Sequence, residues 1–322
     1  MGRNESMISF GLTNYCLKRW HDQVGSAETV IYKRIIYFLL RPLLSMYYRR
    51  YLSENTLRKY KPYLVLCKRG FPLEARRRWG SQHCNIREAT ILVQGTGTGW
   101  DVVSWAKLRP KKIIATDLFD FSESWKEISR YCAELLDVKV EFRQGPLENH
   151  SFLPDNSIDL CASDAVFEHC LNLGSILQES FRLLKPGGTL YATYGPLYFC
   201  AGGDHFAGRG GLKNAFNHLL LPLDEYLEYV KLFYEDQEDF QSGARYIELD
   251  LFSKLTTGEY LKLFTEAGFL MDEIILELSW RSLLFSREYS ELFSRIRHKY
   301  HDRCNFDDFL IKANFVRLIK PL

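Results

Sequence analysis

The sequence predicts an α/β protein in which helices flank a largely parallel sheet. Residues 89–93 are a short, largely apolar run of the kind that forms a buried parallel strand. A glycine turn follows, and then an amphipathic segment that ends at Pro110. A second apolar run at residues 113–116 finishes on Asp117. This order of strand, turn, helix, strand and acid predicts the first half of a nucleotide-binding fold, whose ligand lies outside the carboxyl ends of the strands.

The glycine turn, defined by Gly95, Gly97 and Gly99, predicts a close approach of the backbone to a ligand. Amide groups at the start of the following helix favour a negatively charged group. Asp117, at the tip of the second strand, is placed to accept hydrogen bonds from two ribose hydroxyls. A dinucleotide and S-adenosylmethionine both meet these conditions. The dinucleotide fingerprint is G-x-G-x-x-G, whereas this turn reads G-x-G-x-G.

The rest of the chain continues the alternation of helices and strands. A turn at residues 153–157 enters an apolar strand, after which come Ser163-Asp164 and Glu168-His169. Leu-Lys-Pro-Gly-Gly at residues 184–188 marks a helix end and a tight turn before the fifth strand. Periodicity predicts helices at residues 122–136, 173–184 and 256–267, and strands at residues 138–143, 158–162, 189–194, 269–278 and 309–319.

In this order and spacing the motifs resemble those of class I S-adenosylmethionine-dependent methyltransferases, particularly the branch that acts on small molecules and glycans. The resemblance covers roughly residues 87–195 and returns at residues 255–277 and at the terminal strand. It implies a Rossmann-like sheet of seven strands, mostly parallel with the last strand antiparallel, flanked by helices. It also implies S-adenosylmethionine as the cofactor and methyl transfer as the reaction.

The same resemblance implies which residues bind the cofactor. They follow the carboxyl ends of the first four predicted strands: Gln94, Gly95, Thr96, Gly97, Gly99, Asp117, Leu118, Leu147, Glu148, Ser163 and Asp164. Two positions depart from the family. Gln94 stands where an acid commonly faces the cofactor's ammonium group, and Pro146 stands where an acid commonly brackets the adenine. Glu148 is the nearest substitute carboxylate.

Residues 197–254 depart from the family and are predicted to be an insertion that shapes the substrate pocket, with a helical insertion at about residues 281–308. Residues 202–211 are rich in glycine and predicted to be mobile. His205 is the predicted base for an acceptor hydroxyl, oriented by Asp204, with His169 as the second choice. The alternatives are a flexible solvent loop around His205 and a capping or packing role for His169.

Oxygen is the predicted acceptor atom, because no N/D-P-P-Y/F motif of amide or amine methylation follows the fourth strand. The pattern G-P-L-Y…G-G-D-H loosely resembles methyltransferases that act on sugars or other small polar metabolites in glycan biosynthesis. A small polar acceptor, such as a sugar, is therefore predicted. Two other classes of protein stay open. A nicotinamide-dependent oxidoreductase shares the first strand–helix–strand unit, and a module that binds S-adenosylmethionine without catalysis keeps the fold.

Charge is distributed unevenly along the chain, although the net charge is only +2. Residues 1–90 have a balance of +11, which leaves −9 for the remainder. Residues 1–87 are predicted to form a basic helical cap on a methyltransferase domain of residues 88–322. The alternative for residues 31–51 is an interfacial helix that touches anionic lipid. The arginines at residues 76–78 are expected to be a solvated basic corner, and no nucleic-acid partner is expected.

The cysteines and the N-terminal sequence indicate whether to expect a metal site and which cellular compartment to expect. The eight cysteines include no C-x-x-C pair, so neither a zinc site nor a disulfide framework is predicted. No metal is therefore expected. The N-terminus lacks the uninterrupted apolar segment of a signal peptide, which predicts a cytoplasmic protein with peripheral membrane contact as the alternative. The oligomeric state stays open.

Overall fold

The computed structural model describes residues 31–62, 64–67, 73–206, 210–232 and 243–322; side chains are not described for residues 31–38, 67, 74 and 243–245. A sheet of eight strands runs through this part of the chain in the order β1-β7-β8-β6-β5-β2-β3-β4. Strand β8 is antiparallel to β6 and β7, and the other neighbours are parallel. The strands are β1 (Leu64–Cys67), β2 (Thr90–Gln94), β3 (Lys112–Asp117), β4 (Lys139–Gln144), β5 (Ile158–Asp164), β6 (Leu184–Tyr194), β7 (Leu270–Leu278) and β8 (Ile311–Ile319).

Helices cover both faces of the sheet and form the insertions. They are α1 (Ile31–Arg49), α2 (Glu54–Tyr60), α3 (Leu73–Gly80), α4 (Trp100–Ala106), α5 (Ser122–Leu136), α6 (Leu173–Leu183), α7 (Asn217–Leu220), α8 (Leu223–Lys231), α9 (Gly243–Glu248), α10 (Thr257–Glu266), α11 (Trp280–Glu288) and α12 (Ser290–Lys299). Short 3₁₀ turns occur at Ile86–Glu88, Phe167–His169, Leu212–Asn214 and Phe306–Phe309. None of the helices in the described part of the chain combines the length and apolar character needed to cross a bilayer.

The predicted fold class is confirmed, and the sequence pattern located several elements closely. Helix α5 begins and ends at the predicted residues because its apolar face repeats at helical spacing. Helix α10 begins at a reciprocal capping box, in which Thr256 accepts from the Glu259 amide and the Glu259 carboxylate accepts from the Thr256 amide. The helical insertion predicted near residues 281–308 contains two helices, since Tyr289 separates α11 from α12.

The N-terminal region contains a strand in addition to its predicted helices. Strand β1 joins the sheet as an eighth, edge strand and pairs in parallel with β7, with Leu64 opposite Ile275. Ser45 of α1 accepts a hydrogen bond from the Val65 amide at 3.0 Å. A strand of only four residues carries too little periodicity to stand out in the sequence. The predicted boundary between residues 87 and 88 stays a prediction.

The core lies on both faces of the sheet and fixes the carboxyl edge of the parallel strands. Leu92 of β2 belongs to the apolar cluster on one face, and Ile91 and Val93 belong to the cluster on the other. All three side chains are fully buried. Burying such a side chain contributes about 1.5–3 kcal/mol. The loops at the carboxyl ends of β2, β3 and β5 are thus supported by rigid strands.

Candidate functional site

The glycine turn lies at the carboxyl end of β2 and has a backbone that only glycine adopts easily. Gly95, Gly97 and Gly99 have φ angles of 69°, 52° and 91°. At Gly95 a Cβ would lie 2.3 Å from the side chain of Val166, so the turn packs directly on the loop after β5. At Gly97 a Cβ would meet nothing within 4 Å. The turn therefore faces open space at Gly97.

Asp117 ends β3 and binds the glycine turn. Its Oδ2 accepts a hydrogen bond from the Gly97 amide at 2.6 Å, and its Oδ1 accepts one from the Phe119 amide at 2.9 Å. Burial raises the pKa of Asp117, while these amides oppose the rise. Each carboxylate oxygen can accept a further hydrogen bond. Two hydroxyls of a ribose can therefore bind at this carboxylate.

The neighbouring loops supply an apolar surface and open space. Leu118, next to Asp117, is 57% exposed. A Cβ at Gly145, after β4, would meet nothing within 4 Å, and the Gly145 amide donates to the Asp117 carbonyl at 2.8 Å. The side chain of Leu147, a predicted cofactor-binding residue, lies in the core, whereas Glu148 is exposed.

Three side chains predicted to line the cofactor point into the protein instead. The Gln94 amide exchanges hydrogen bonds with Ser180 of α6, its Nε2 donating at 3.0 Å. The expectation that Gln94 faces an ammonium group is therefore wrong. Thr96 donates to Asp101 at 3.3 Å, and Ser163 donates to the Gln94 carbonyl at 3.4 Å. At these positions the cofactor can meet only the backbone.

Asp164, at the end of β5, forms a buried ion pair with Arg77 of α3. It also accepts hydrogen bonds from Tyr191 at 2.9 Å and from Thr193 at 2.8 Å. Burial alone would raise the pKa of Asp164, but Arg77 and Arg76 bring it below its usual value. The expected solvated basic corner is wrong at Arg77, whose side chain is 2% exposed. Asp164 joins the N-terminal region to the sheet.

Glu168, His169 and His205 form a cluster that the sequence did not predict as a unit. The rings of His169 and His205 lie 4.6 Å apart between centroids. Glu168 accepts a hydrogen bond from the Gly195 amide through Oε1 at 2.9 Å, and its buried Oε2 has no partner among the described residues. His205 Nε2 is likewise buried without a partner in that part of the chain. One ligand atom from each residue lies within 4.8 Å of the others.

Asp204 and His205 are adjacent in sequence but face different neighbours. Asp204 accepts from the Phe206 amide at 3.0 Å and from Tyr226 at 2.8 Å, and its nearest imidazole is that of His218 at 3.6 Å. The predicted orientation of His205 by Asp204 is therefore wrong. His205 has a φ of 61°, an uncommon angle for a residue with a side chain, which turns its ring away from Asp204.

The turn that holds His205 is packed rather than mobile. A Cβ at Gly203 would lie 2.2 Å from the Tyr198 carbonyl, so the two backbone segments touch. Ala201 and Phe206 are buried. The predicted mobility is wrong up to Phe206, and residues 207–209 lie outside the described residues.

Burial sets the protonation of the cluster. It lowers the pKa of His205 to about 3, with a further decrease from His169, and it also lowers the pKa of His169. Burial raises the pKa of Glu168 to about 8. Both imidazoles are thus neutral at pH 7, and an imidazole of such low pKa is a weak proton acceptor.

The cluster adjoins the glycine turn and Asp117. The 3₁₀ turn Phe167–His169 follows directly after Val166, which contacts Gly95. The ring of Tyr246 stacks on His169 at 4.1 Å. Burial raises the pKa of Tyr246, and both Glu168 and Asp117 raise it further, so this tyrosine lies within electrostatic range of both acids. Tyr246 therefore packs on the His169 side of the cluster.

A family model described as a methyltransferase domain matches residues 92–192, just under a third of the chain. This region runs from β2 to β6 and contains the glycine turn, Asp117, Asp164 and two members of the cluster. Residues 92–192 are therefore similar to a methyltransferase domain. The predicted cofactor, S-adenosylmethionine, is confirmed for this domain.

Individual relatives of the methyltransferase domain act on different acceptors. The chain is 32% identical over 117 residues to a malonyl-[acyl-carrier protein] O-methyltransferase of Yersinia pestis, covering 34% of this chain and 37% of that protein. It is 31% identical over 115 residues to a sterol 24-C-methyltransferase of Pneumocystis carinii (strain B80), covering 35% and 29%. The chain thus spans about a third of the length of these curated relatives. Among solved structures, an arsenic(III) S-adenosylmethionine methyltransferase of Chlamydomonas reinhardtii has a TM-score of 0.45 at 16% identity, covering 74% of this chain and 65% of that one.

The cofactor fits the methyltransferase domain at the glycine turn and Asp117. Gly97 leaves open the space that a side chain would occupy, and the Asp117 carboxylate retains acceptor capacity. Leu118 and Gly145 flank this space with an apolar side chain and an open backbone. The sequence missed Glu168 and Tyr246. Glu168 is visible in the sequence as the acid before His169. That its Oε2 is buried without a partner among the described residues is apparent only in the folded chain.

Proposed function

We propose that the chain transfers the methyl group of S-adenosylmethionine to an oxygen of a small polar acceptor, such as a sugar or another glycan precursor. The observation that carries the proposal is the pair of neutral imidazoles, His169 and His205, beside the glycine turn. The O-methyltransferase relative supports an oxygen acceptor. The sterol 24-C-methyltransferase makes carbon the competing acceptor atom.

Methyl transfer of this kind requires alignment more than covalent catalysis. When bound, S-adenosylmethionine supplies a methyl group on a positively charged sulfur. Asp117 and the Gly97 backbone hold the ribose side, and the loop of Leu118 covers it. His169 and His205 contact the acceptor oxygen, whose lone pair forms the new bond to the methyl carbon. The C–S bond breaks with its electron pair going to sulfur. The hydroxyl proton, made strongly acidic by the new bond to oxygen, passes to the neutral His205 and from there to water.

The residues around the histidines keep water away from the reacting atoms. Tyr246 stacks on His169, and Phe252 lies 5.8 Å from each imidazole ring. Asp204 is proposed as a positioning residue, because it holds the His205 turn through the Phe206 amide and Tyr226. Exclusion of water strengthens electrostatic interactions within such a site.

The compartment and partners are also part of the proposal. We place the reaction in the cytoplasm, with peripheral contact between the basic N-terminal helices and a membrane as the alternative. Leu39, Leu43 and Met46 of α1 are exposed, which supports such contact. A lipid-linked acceptor would suit this arrangement.

The test begins with mass spectrometry of cofactor retained by the purified protein. Calorimetry with S-adenosylmethionine and with NAD then separates the methyltransferase from the oxidoreductase. A screen with ¹³C-methyl cofactor and candidate sugars identifies the acceptor, and NMR distinguishes a methoxy carbon from a carbon bound to carbon. Binding of cofactor without turnover on any acceptor would favour a non-catalytic module.

Substitution of the histidines tests their role. His205→Ala should lower turnover by about 10²- to 10⁴-fold and leave cofactor affinity nearly unchanged, because Asp117 and the glycine turn remain. His83→Ala, at an exposed histidine, is the control and should behave as wild type. Near wild-type turnover in His205→Ala with loss in His169→Ala would transfer the role to His169. Activity in both variants would mean that positioning alone carries the transfer.

A further inference from the structure

The cluster of Glu168, His169 and His205 has the composition of a metal centre. We propose that it binds one divalent transition-metal ion of the zinc class, which holds the acceptor hydroxyl and promotes its ionisation. The inference rests on the proposed function for the identity of the acceptor. It differs from the sequence-based expectation of no metal, which followed from the cysteines alone.

Two buried polar atoms point to a missing ligand. Glu168 Oε2 and His205 Nε2 are buried without hydrogen-bond partners among the described residues. A buried polar group without a partner is unfavourable. Both atoms belong to side chains that ligate metals, and they lie in one cluster with His169. A shared cation would satisfy both atoms.

The hydrogen bonds around the cluster orient its donors. His169 Nδ1 lies 2.7 Å from the Leu251 carbonyl, which can only accept, so the Nδ1 proton points to that carbonyl. The lone pair of Nε2 is then available to a metal, in the arrangement typical of ligating histidines. Glu168 Oε1 accepts from the Gly195 amide, which fixes the carboxylate and leaves Oε2 for coordination. Stacking on Tyr246 restricts the His169 ring.

The geometry is close to that of a bound site. Bonds of about 2.0–2.2 Å in a tetrahedral site place ligand atoms about 3.3–3.6 Å apart. One ligand atom from each of the three residues lies within 4.8 Å of the others. Binding of an ion therefore requires the three side chains to move closer together.

The donor set selects the kind of ion. Two imidazole nitrogens and one carboxylate oxygen suit zinc and similar transition metals, whereas magnesium and calcium prefer oxygen ligands. Three protein ligands also leave a coordination position for substrate, as catalytic zinc sites do. The site is thus built for a Lewis acid that binds an acceptor oxygen.

With an ion bound, His205 is a ligand, and the metal takes over the ionisation of the acceptor hydroxyl. Coordination lowers the pKa of a bound hydroxyl, whose proton passes to water. The oxygen lone pair then forms the bond to the methyl carbon, and sulfur takes the electron pair of the broken C–S bond. The oxidation state of the metal does not change.

The experiment uses the full chain, stripped with a chelator and titrated with zinc chloride in a calorimeter. Metal analysis should give one equivalent of zinc per chain after dialysis, and cobalt should give visible absorption bands of a low-coordinate site. His205→Ala and Glu168→Gln should each weaken zinc binding by at least about 100-fold, more than loss of an outer-shell partner does. His298→Ala is the matched control, because His298 stacks on His301 at 5.7 Å near the exposed Asp302 and is a plausible adventitious zinc site.

Three binding results would overturn the proposed metal site. They are failure of wild type to bind zinc at micromolar concentration, unchanged affinity in both cluster variants, and loss of binding in His298→Ala alone. Circular dichroism and cofactor affinity check that the variants are folded. Methyl transfer by exhaustively chelated protein would also refute the inference while leaving the proposed function intact. Absence of cofactor binding would refute the proposed function, and the zinc titration would still decide the metal site.

Discussion

At the scale of single residues, Gly97 and Asp117 show how a ligand site forms from two strand ends. The Gly97 amide donates to the Asp117 carboxylate, so the turn and the acid hold each other. Gly97 contributes by having no side chain, because the space at its Cβ position is open. Binding and local structure thus depend on the same two residues.

Gly97→Val should abolish binding of S-adenosylmethionine, because a branched side chain would fill the space beside Asp117. Its φ of 52° adds strain of about 1–2 kcal/mol. Gly211→Val is the matched control, since Gly211 also has positive φ and open space at its Cβ position. Calorimetry should show loss of binding only in the Gly97 variant, with comparable decreases in melting temperature. Equal cofactor affinity in both variants would contradict the assignment.

The residue scale also shows where prediction from the sequence ends. Gly97 and Asp117 were predictable because strand ends and turn residues occur at fixed spacing in one motif. The contact between His169 and His205 depends on how the insertion folds back, and the positive φ of His205 sends its ring away from Asp204. Neither property is visible in local pattern. Gln94 was misassigned because its position on the strand did not reveal that its amide pairs with α6.

At the scale of elements, Arg77 is a buried side chain that attaches α3 to the sheet. Arg77 pairs with Asp164, donates to Ser104 at 2.8 Å and lies over the Trp105 ring. Three consecutive arginines resemble a basic surface in sequence, but adjacent residues on a helix face different directions. Only the folded arrangement shows that Arg77 faces inward and Arg78 outward.

Arg77→Ala should lower the free energy of unfolding by about 3–5 kcal/mol, because it leaves the Asp164 carboxylate buried without its main partner. Urea denaturation followed by circular dichroism measures the change. Arg78→Ala alters an exposed arginine of the same helix and should change stability by no more than about 0.5 kcal/mol. A similar, small effect of both substitutions would show that α3 does not depend on this ion pair.

At the scale of the whole molecule, α1 has one face on the domain and another in solvent. Ser45 accepts from the Val65 amide, and Arg49 donates to the Pro62 carbonyl at 2.7 Å. On the other face, Leu39, Leu43 and Met46 are 71%, 61% and 70% exposed. The inward contacts support a packed cap, and the exposed apolar side chains are what an interfacial helix would present to lipid.

Deletion of residues 1–50 tests which role dominates. We expect a lower melting temperature and lower solubility, because the truncation removes Ser45 from the Val65 amide and uncovers the edge strand β1. A variant of the full chain with Leu43→Gln and Met46→Gln is the matched control. It alters only the exposed face and should change stability by no more than about 0.5 kcal/mol per substitution. Sedimentation with anionic vesicles at low and high salt measures lipid binding, since attraction through arginines is screened by salt. Two results together would contradict the cap and support a membrane-binding helix. The truncated protein would stay stable and active but no longer sediment with vesicles, and the Gln variant would also lose sedimentation.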